Sequence, residues 1–172
     1  MDKKFNKRIV IQNFVDEKHS LLFRDYWDTF SSLCSDNRPE HSHRNLHFNK
    51  IKDIQVRTHL KYYQQKLKFF IDHFFQTKVK PWNDPQICRW RAGEFMGLHG
   101  DNENGIDKVD FSAIIYLNDN YDGGSLIFES KETYKVKKNG VIFFESGIHN
   151  RHRVSKIIKG YRYTIPLWFR FI

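Results

Sequence analysis

The apolar residues of this chain change their period at Lys80-Pro-Trp-Asn-Asp-Pro85, and that change restricts the fold more than any other feature. Before it, Val56, Leu60, Tyr63, Leu67, Phe70 and Phe74 recur in alternating steps of four and three, one apolar stripe on a helix over about residues 53–76. After it, apolar and polar residues alternate, with candidate strands at 86–90, 96–100, 109–117, 124–129, 133–137, 140–145, 152–158 and 161–171. Short strands following helices point to a mainly β, α+β architecture: an antiparallel double-sheet roll braced by helices. The stripe of the long helix then packs against the outer side of a sheet.

Upstream of that helix, residues 8–14 read as a first strand, and Asp16 as the cap of a helix carrying Leu21, Leu22, Tyr26, Trp27 and Phe30. Residues 34–50 are polar and hold His41, His43 and His47, with no fixed carboxylate to complete a metal site, so an exposed loop is expected there. Two connections carry turn chemistry: Asn118-Asp-Asn-Tyr-Asp-Gly-Gly124, and Asn139-Gly140, a two-residue hairpin signal. Within one domain over 1–172, residues 1–85 form a helical support region and 86–172 the roll.

The last strand has two distinct faces. Tyr161, Tyr163, Ile165, Leu167, Phe169 and Phe171 form an unbroken core face, and Arg162, Thr164, Pro166, Trp168 and Arg170 fall opposite. An Arg and a Thr two residues apart suit a polar pocket lined by that second face. Proline lacks the N–H that a central strand needs, so Pro166 marks an edge or bulge.

Composition narrows the class. A chain of 172 residues with 40% hydrophobic and 16% aromatic residues can bury a proper core. The net charge of +9 raises an acidic or nucleic-acid partner, but the basic residues are spread along the chain and form no tail, so a solvated surface is expected. Two cysteines, Cys34 and Cys88, are too few for a disulfide framework. No leader-like or membrane-spanning apolar segment is present, and a reduced, cytoplasmic protein is expected.

The chemistry concentrates around His99-Gly-Asp101. Residues two apart on a strand project to one side, so this imidazole and carboxylate can reach one ion. A third ligand must come from another strand, and His149 and His152 are the candidates. Two neutral imidazoles and one carboxylate on one face of an octahedral Fe(II) leave three positions open for substrates and O2.

The order His-x-Asp, a distant His, then an Arg resembles that of the 2-oxoglutarate- and Fe(II)-dependent oxygenases, specifically their prolyl 4-hydroxylase-like branch. The resemblance runs from the Ile9–Phe14 strand to Trp168-Phe169 and rests on the collinear set. It selects His152 over His149: His152-Arg-Val154 matches the family's His-x-Val, Arg162 follows at the family spacing, and Phe143-Phe-Glu-Ser146 matches the aromatic-rich strand before the distal His. It implies a double-stranded β-helix (jelly-roll, cupin-like) core, Fe(2+), 2-oxoglutarate as co-substrate and O2. It also implies hydroxylation of an aliphatic C–H with release of succinate and CO2. By the same resemblance His99, Asp101, His152 and Arg162 are the catalytic set. Arg162 pairs with the far carboxylate of 2-oxoglutarate, Tyr116 in Tyr116-Leu-Asn118 donates to that carboxylate, and Thr164 supplies a small hydroxyl beside it. Trp90 is a departure: relatives commonly have a Tyr there, and an indole N–H donates but cannot accept.

The branch implies a prolyl residue of a protein or peptide as substrate. Asn102 to Lys108, and His149 to Arg151, are the loops beside the metal motifs, with Asn102, His149 and Arg151 as candidate substrate contacts. Arg151, Arg153, Lys156, Lys159 and Arg162 form a basic run suited to an acidic peptide or to solvent. A nucleic-acid oxygenase of the same chemistry is less favoured, because Trp168 stands where that type carries a second Arg. A free amino-acid hydroxylase and a non-enzymatic roll that binds a ligand remain as alternatives, and oligomeric state is not readable.

Overall fold

The computed structural model describes residues 7–36, 43–102 and 109–172. In chain order the first half comprises β1 (Arg8–Ile11), α1 (Glu17–Thr29), β2 (Ser35–Asp36), β3 (Arg44–His47), α2 (Ile54–Phe75) and β4 (Val79–Pro81). Then follow β5 (Gln86–Arg91), β6 (Met96–His99), β7 (Phe111–Tyr116), β8 (Asp122–Gly123), β9 (Leu126–Phe128) and β10 (Thr133–Tyr134). The chain closes with β11 (Val141–Glu145), β12 (His152–Val154), β13 (Ile157–Lys159) and β14 (Tyr161–Phe171). A large sheet runs β1-β11-β7-β14-β5-β3-β2, with β4 pairing β14 off that path; a small sheet runs β10-β9-β12-β6; β13 pairs β8. Every pairing is antiparallel. Among the described residues, no helix is long and apolar enough to cross a membrane.

The large sheet is buried on both faces, which explains its near-continuous apolar strands. Ile115, Phe143, Ile165 and Leu167 pack with Phe23 and Trp27 of α1 and Leu60, Leu67 and Ile71 of α2. On the other face Ile142 and Phe144 join Leu126, Phe128 and Val154 of the small sheet. Each aliphatic side chain fully buried in these cores stabilises the fold by roughly 1.5–3 kcal/mol. On β14, Tyr163, Ile165, Leu167 and Phe169 lie in the helix-side core as expected, while Tyr161 and Phe171 at its ends are about half exposed.

The stripe of α2 holds through Val56, Leu60, Tyr63 and Leu67, then moves to Ile71 and Phe75, leaving Phe74 41% exposed. A straight helix turns about 20° away from a seven-residue repeat per heptad, so four turns on, the next residue faces the sheet. The Asp53 carboxylate caps α2, accepting from the N–H of Gln55 and Val56 at 2.8 and 3.0 Å. Asp16 holds the corresponding place on α1 but makes no side-chain cap bond. Its carboxylate lies 3.5 Å from His19 Nδ1 instead.

Three expectations are corrected. The first 85 residues are not helical support alone, since β1, β2, β3 and β4 all join the large sheet. The segment around His43 and His47 is not an exposed loop: His43, Asn45 and Leu46 are buried and β3 pairs with β5, which would otherwise be left as an open edge. His41 lies outside the described residues. Nor does Asn139-Gly140 close a hairpin, because β10 belongs to the small sheet and β11 to the large one. Asn139 takes a positive φ of 64° at the crossing between them. It is fixed there by the first turn of α1, accepting from Ser20 Oγ and donating to Glu17.

Two irregularities have direct causes. Pro166 pairs with Ile114 of β7, but on its other side the β5 ladder ends at Thr164 and the β4 ladder begins at Phe169. Its missing N–H faces that gap. The strand expected over 152–158 breaks at Ser155-Lys156, and β13 leaves β9 to pair with β8 inside the Asn118–Gly124 loop.

Candidate active site

The even-numbered residues of β14 and β5 face the small sheet across a cavity of about 380 Å³. Cys88, Trp90, Arg162, Thr164, Pro166 and Trp168 line it from the large sheet, Met96, His99, His152 and Val154 from the small one, and Asp101 stands at its rim. The second face of β14 is therefore a pocket wall. This volume suits a small organic acid together with a metal ion.

His99 at the end of β6 is the ladder partner of His152 on β12, so a cross-strand pair brings together two imidazoles distant in sequence. Their ring centroids are 4.5 Å apart. Asp101 follows in the turn after β6, Oδ1 lying 3.7 Å from His99 Nε2 and Oδ2 3.9 Å from His152 Nε2. One ligand atom from each residue lies within 4.8 Å of the others, and no other such cluster occurs among the described residues.

The hydrogen bonds fix the tautomers. His99 Nδ1 sits 2.9 Å from the Gly97 carbonyl and His152 Nδ1 3.0 Å from the Asn150 carbonyl. A carbonyl only accepts, so each Nδ1 carries the proton and each Nε2 presents its lone pair to the common point. Burial lowers the pKa of His152, outweighing the Asp101 carboxylate, and keeps the ring neutral as a metal ligand must be. Asp101 Oδ2 accepts from Ser112 Oγ, which is linked to Ser146 Oγ at 2.6 Å. Two neutral nitrogens and an oriented carboxylate fit a divalent metal such as Fe(II).

Arg162 is 1% exposed. Its guanidinium carbon lies 4.9 Å from the Tyr116 ring centroid and 5.4 Å from that of Trp90, and its Nε and Nη2 are buried without a hydrogen-bond partner. Burial disfavours the charge, but the Tyr116 and Tyr121 hydroxyls beside it outweigh that, and the group stays protonated. The Tyr116 and Tyr121 hydroxyls and Trp90 Nε1 are likewise buried without partners. A buried cation among such polar atoms fits an incoming carboxylate.

Of the residues singled out in the sequence, His99, Asp101, His152, Arg162, Thr164 and Trp90 meet at the cavity. Tyr116 stands against the guanidinium rather than on the cavity wall. His149 is exposed in a short 3-10 turn outside the ligand cluster, which takes His152 instead. Arg151 pairs with Glu129 at 3.1 Å, and Asn102 lies beside Gly147; neither Asn102, His149 nor Arg151 lines the cavity. The rest of the loop after Asn102, residues 103–108, lies outside the described residues.

Sequence reasoning missed His43, stacked on Trp90 at 4.0 Å, and the supports Ser112, Asn150 and Tyr121. Ser112 had a signal, since it shares parity with Tyr116 on its strand and so had to face inward. His43 and Tyr121 had none, because only the fold brings them to Trp90 and Arg162. Cys88 lines the cavity too, and burial raises its thiol far above the usual range, so it is an inert wall.

A family model described as the 2OG-Fe(II) oxygenase superfamily matches residues 85–170. Mouse prolyl 3-hydroxylase 2 is 38% identical over 66 residues, which cover 35% of this chain and 9% of that protein, so the chain accounts for only a small part of its length. The viral collagen prolyl hydroxylase of Paramecium bursaria Chlorella virus-1, solved with 2OG, superposes with a TM-score of 0.76 at 18% identity, covering 97% of this chain and 98% of that one. A Trichoplax adhaerens prolyl hydroxylase, solved with a hypoxia inducible factor peptide fragment, gives a TM-score of 0.79 at 17% identity over 96% of this chain and 84% of that one. The architecture is thus the double-stranded β-helix common to these oxygenases.

Proposed function

Because the chain belongs to the 2OG-Fe(II) oxygenase superfamily, we propose that it is an Fe(II)- and 2-oxoglutarate-dependent dioxygenase hydroxylating a prolyl residue of a protein or peptide. The observation that carries this reading is the buried Arg162, which has no carboxylate partner among the described residues and shares a cavity with His99, Asp101 and His152. A structural metal would gain nothing from that cation. A dicarboxylate with a 2-oxo-acid end can engage both, and its two charges with that of Asp101 balance a divalent ion and Arg162.

In this reading His99, Asp101 and His152 hold the iron through Nε2, a carboxylate oxygen and Nε2. When bound, iron, 2-oxoglutarate and O2 together supply the oxidising chemistry: one oxygen atom enters the substrate C–H, the other enters succinate, and CO2 leaves. The chain does the positioning. Arg162 receives the distal carboxylate through two N–H donors, a fork that Lys cannot supply. The Thr164 hydroxyl and, after small adjustments, the Tyr116 hydroxyl and Trp90 indole N–H add donors to the same carboxylate. Met96, Ile114 and Val154 keep the cavity wall apolar, which strengthens these charged contacts by excluding water.

Prolyl specificity is supported by the 38% identity to mouse prolyl 3-hydroxylase 2 over 66 residues. The test is succinate release from 2-oxoglutarate under air with Fe(II), with and without proline-containing peptides, in wild type and His99→Ala. Peptide-stimulated turnover that disappears in the variant, with hydroxyproline found by mass spectrometry, is the expected result. Turnover stimulated only by other substrates would remove the prolyl assignment. Absence of any 2-oxoglutarate binding would remove the enzyme assignment.

A further inference from the structure

The two imidazoles of the site are held very differently. His99 Nδ1 bonds to a carbonyl of its own strand, two residues back. His152 bonds to the Asn150 carbonyl, and Asn150 is itself clamped from the other end of the chain. Arg8, the first residue of β1, donates Nε to Asn150 Oδ1 at 2.9 Å. Asn150 Nδ2 donates to the Glu145 carbonyl at 2.9 Å, tying the turn to β11. The Arg8 guanidinium also lies over the Phe128 ring, 3.9 Å from Cζ to the centroid. Phe128 packs against the His152 ring, 5.7 Å between centroids. A single side chain thus touches two of the groups around His152: the residue whose carbonyl accepts its Nδ1–H, and one of the two phenylalanine rings beside it, the other being Phe144 at 5.2 Å. Arg8 is anchored from outside by Glu132, and its side chain is only 5% exposed.

We propose that Arg8 and Asn150 are positioning residues for the His152 ligand, so that β1 of the large sheet sets the metal geometry of the small one. The inference rests on His152 being a ligand. Asn150 is 4% exposed, too enclosed for solvent to replace the bonds of its side chain. Without Arg8, the Asn150 amide loses its long-range anchor, the 148–150 turn shifts, and the carbonyl that fixes the His152 tautomer moves with it. The interaction is direct hydrogen bonding and packing, and it needs no substrate.

The test uses Co(II) alone, titrated anaerobically into the full chain and read by its ligand-field absorption. Asn150→Ala and Arg8→Met are each expected to weaken Co(II) binding by about 10- to 100-fold, the usual effect of removing an outer-shell partner. Both should alter the Co(II) absorption band. Glu132→Gln removes the outer anchor but leaves Arg8 on Asn150, and should bind Co(II) as wild type does. Wild-type affinity and spectrum in both Asn150→Ala and Arg8→Met, even with a lowered melting temperature, would overturn the proposal, since a merely structural contact does just that. His152→Ala separates the two readings: retained Co(II) affinity there refutes the ligand assignment itself.

Discussion

Enclosing the Arg162 guanidinium, which has no counter-ion among the described residues, costs several kcal/mol, and the faces of Tyr116 and Trp90 return only about 0.5–2 kcal/mol each. A site built this way trades stability for binding. Arg162→Met should therefore leave the ligand-free protein as stable as wild type or up to about 4 kcal/mol more stable. The same change should weaken 2-oxoglutarate by about 100-fold, or roughly 3 kcal/mol; calorimetric titration and thermal melts measure the two together. A large loss of stability with unchanged co-substrate affinity would mean that Arg162 is a structural residue. At this scale His149→Ala should retain Co(II), with binding at the His99, Asp101 and His152 cluster undisturbed. His99 and Asp101 were legible from their spacing on one strand, and His152 and Arg162 from the resemblance of their order and spacing to the oxygenases. Ser112, Asn150 and His43 were not, because their importance arises from the neighbours that folding gives them.

Among the elements, the helices attach to the sheet through a few polar contacts that can be tested singly. Asp53→Ala removes two N-terminal hydrogen bonds of α2 and should cost about 1 kcal/mol. Asp16→Ala, at the same place on α1, removes no such bond and should cost clearly less in the same denaturant titration. Tyr163 on β14 donates to Asp28 of α1 at 2.6 Å. Burial, reinforced by that bond, pushes its pKa up to about 12. A phenol whose folded pKa exceeds the unfolded value near 10 stabilises fully below about pH 10 and loses that contribution as pH rises toward the folded value. Wild type should therefore lose stability between about pH 10 and 12, and Tyr163→Phe should flatten that slope. The helices themselves were visible in their apolar period. The shift of the α2 stripe to Ile71 and Phe75 was not, because it depends on how straight the helix stays against its sheet.

For the whole molecule, the metal would act as a staple. His99 ends β6, an edge of the small sheet that pairs only with β12 among the described residues; Asp101 follows in the turn after it, and His152 is the residue His99 meets on β12. A metal ion at 100 times its dissociation constant adds about 2.7 kcal/mol to the folded state, or roughly 5–10 °C in melting temperature for a chain of this size. Co(II) should produce that shift in wild type and none in His99→Ala; an equal shift in both would place the ion elsewhere.

The alternation after residue 85 was enough to determine that the chain is a roll of antiparallel strands, and the stripe before it that helices brace one side. Parity on the last strand separated the core face from the face bearing Arg162 and Thr164, because side chains alternate across a strand whatever it pairs with. Which strand pairs with which was decided only in three dimensions. Asn139-Gly140 reads locally as a hairpin, yet its flanking strands belong to different sheets, and α1 holds the turn at the crossing. The polar segment around His43 became a buried strand because β5 offered it an open edge and Trp90 a ring to stack on. The reach of Arg8 to Asn150, and through it to His152, likewise belongs to the tertiary structure alone. Periods and parities are local and survive in the sequence. Pairing and ligand support depend on contacts between residues far apart in the chain, whose energy exists only once the chain has folded.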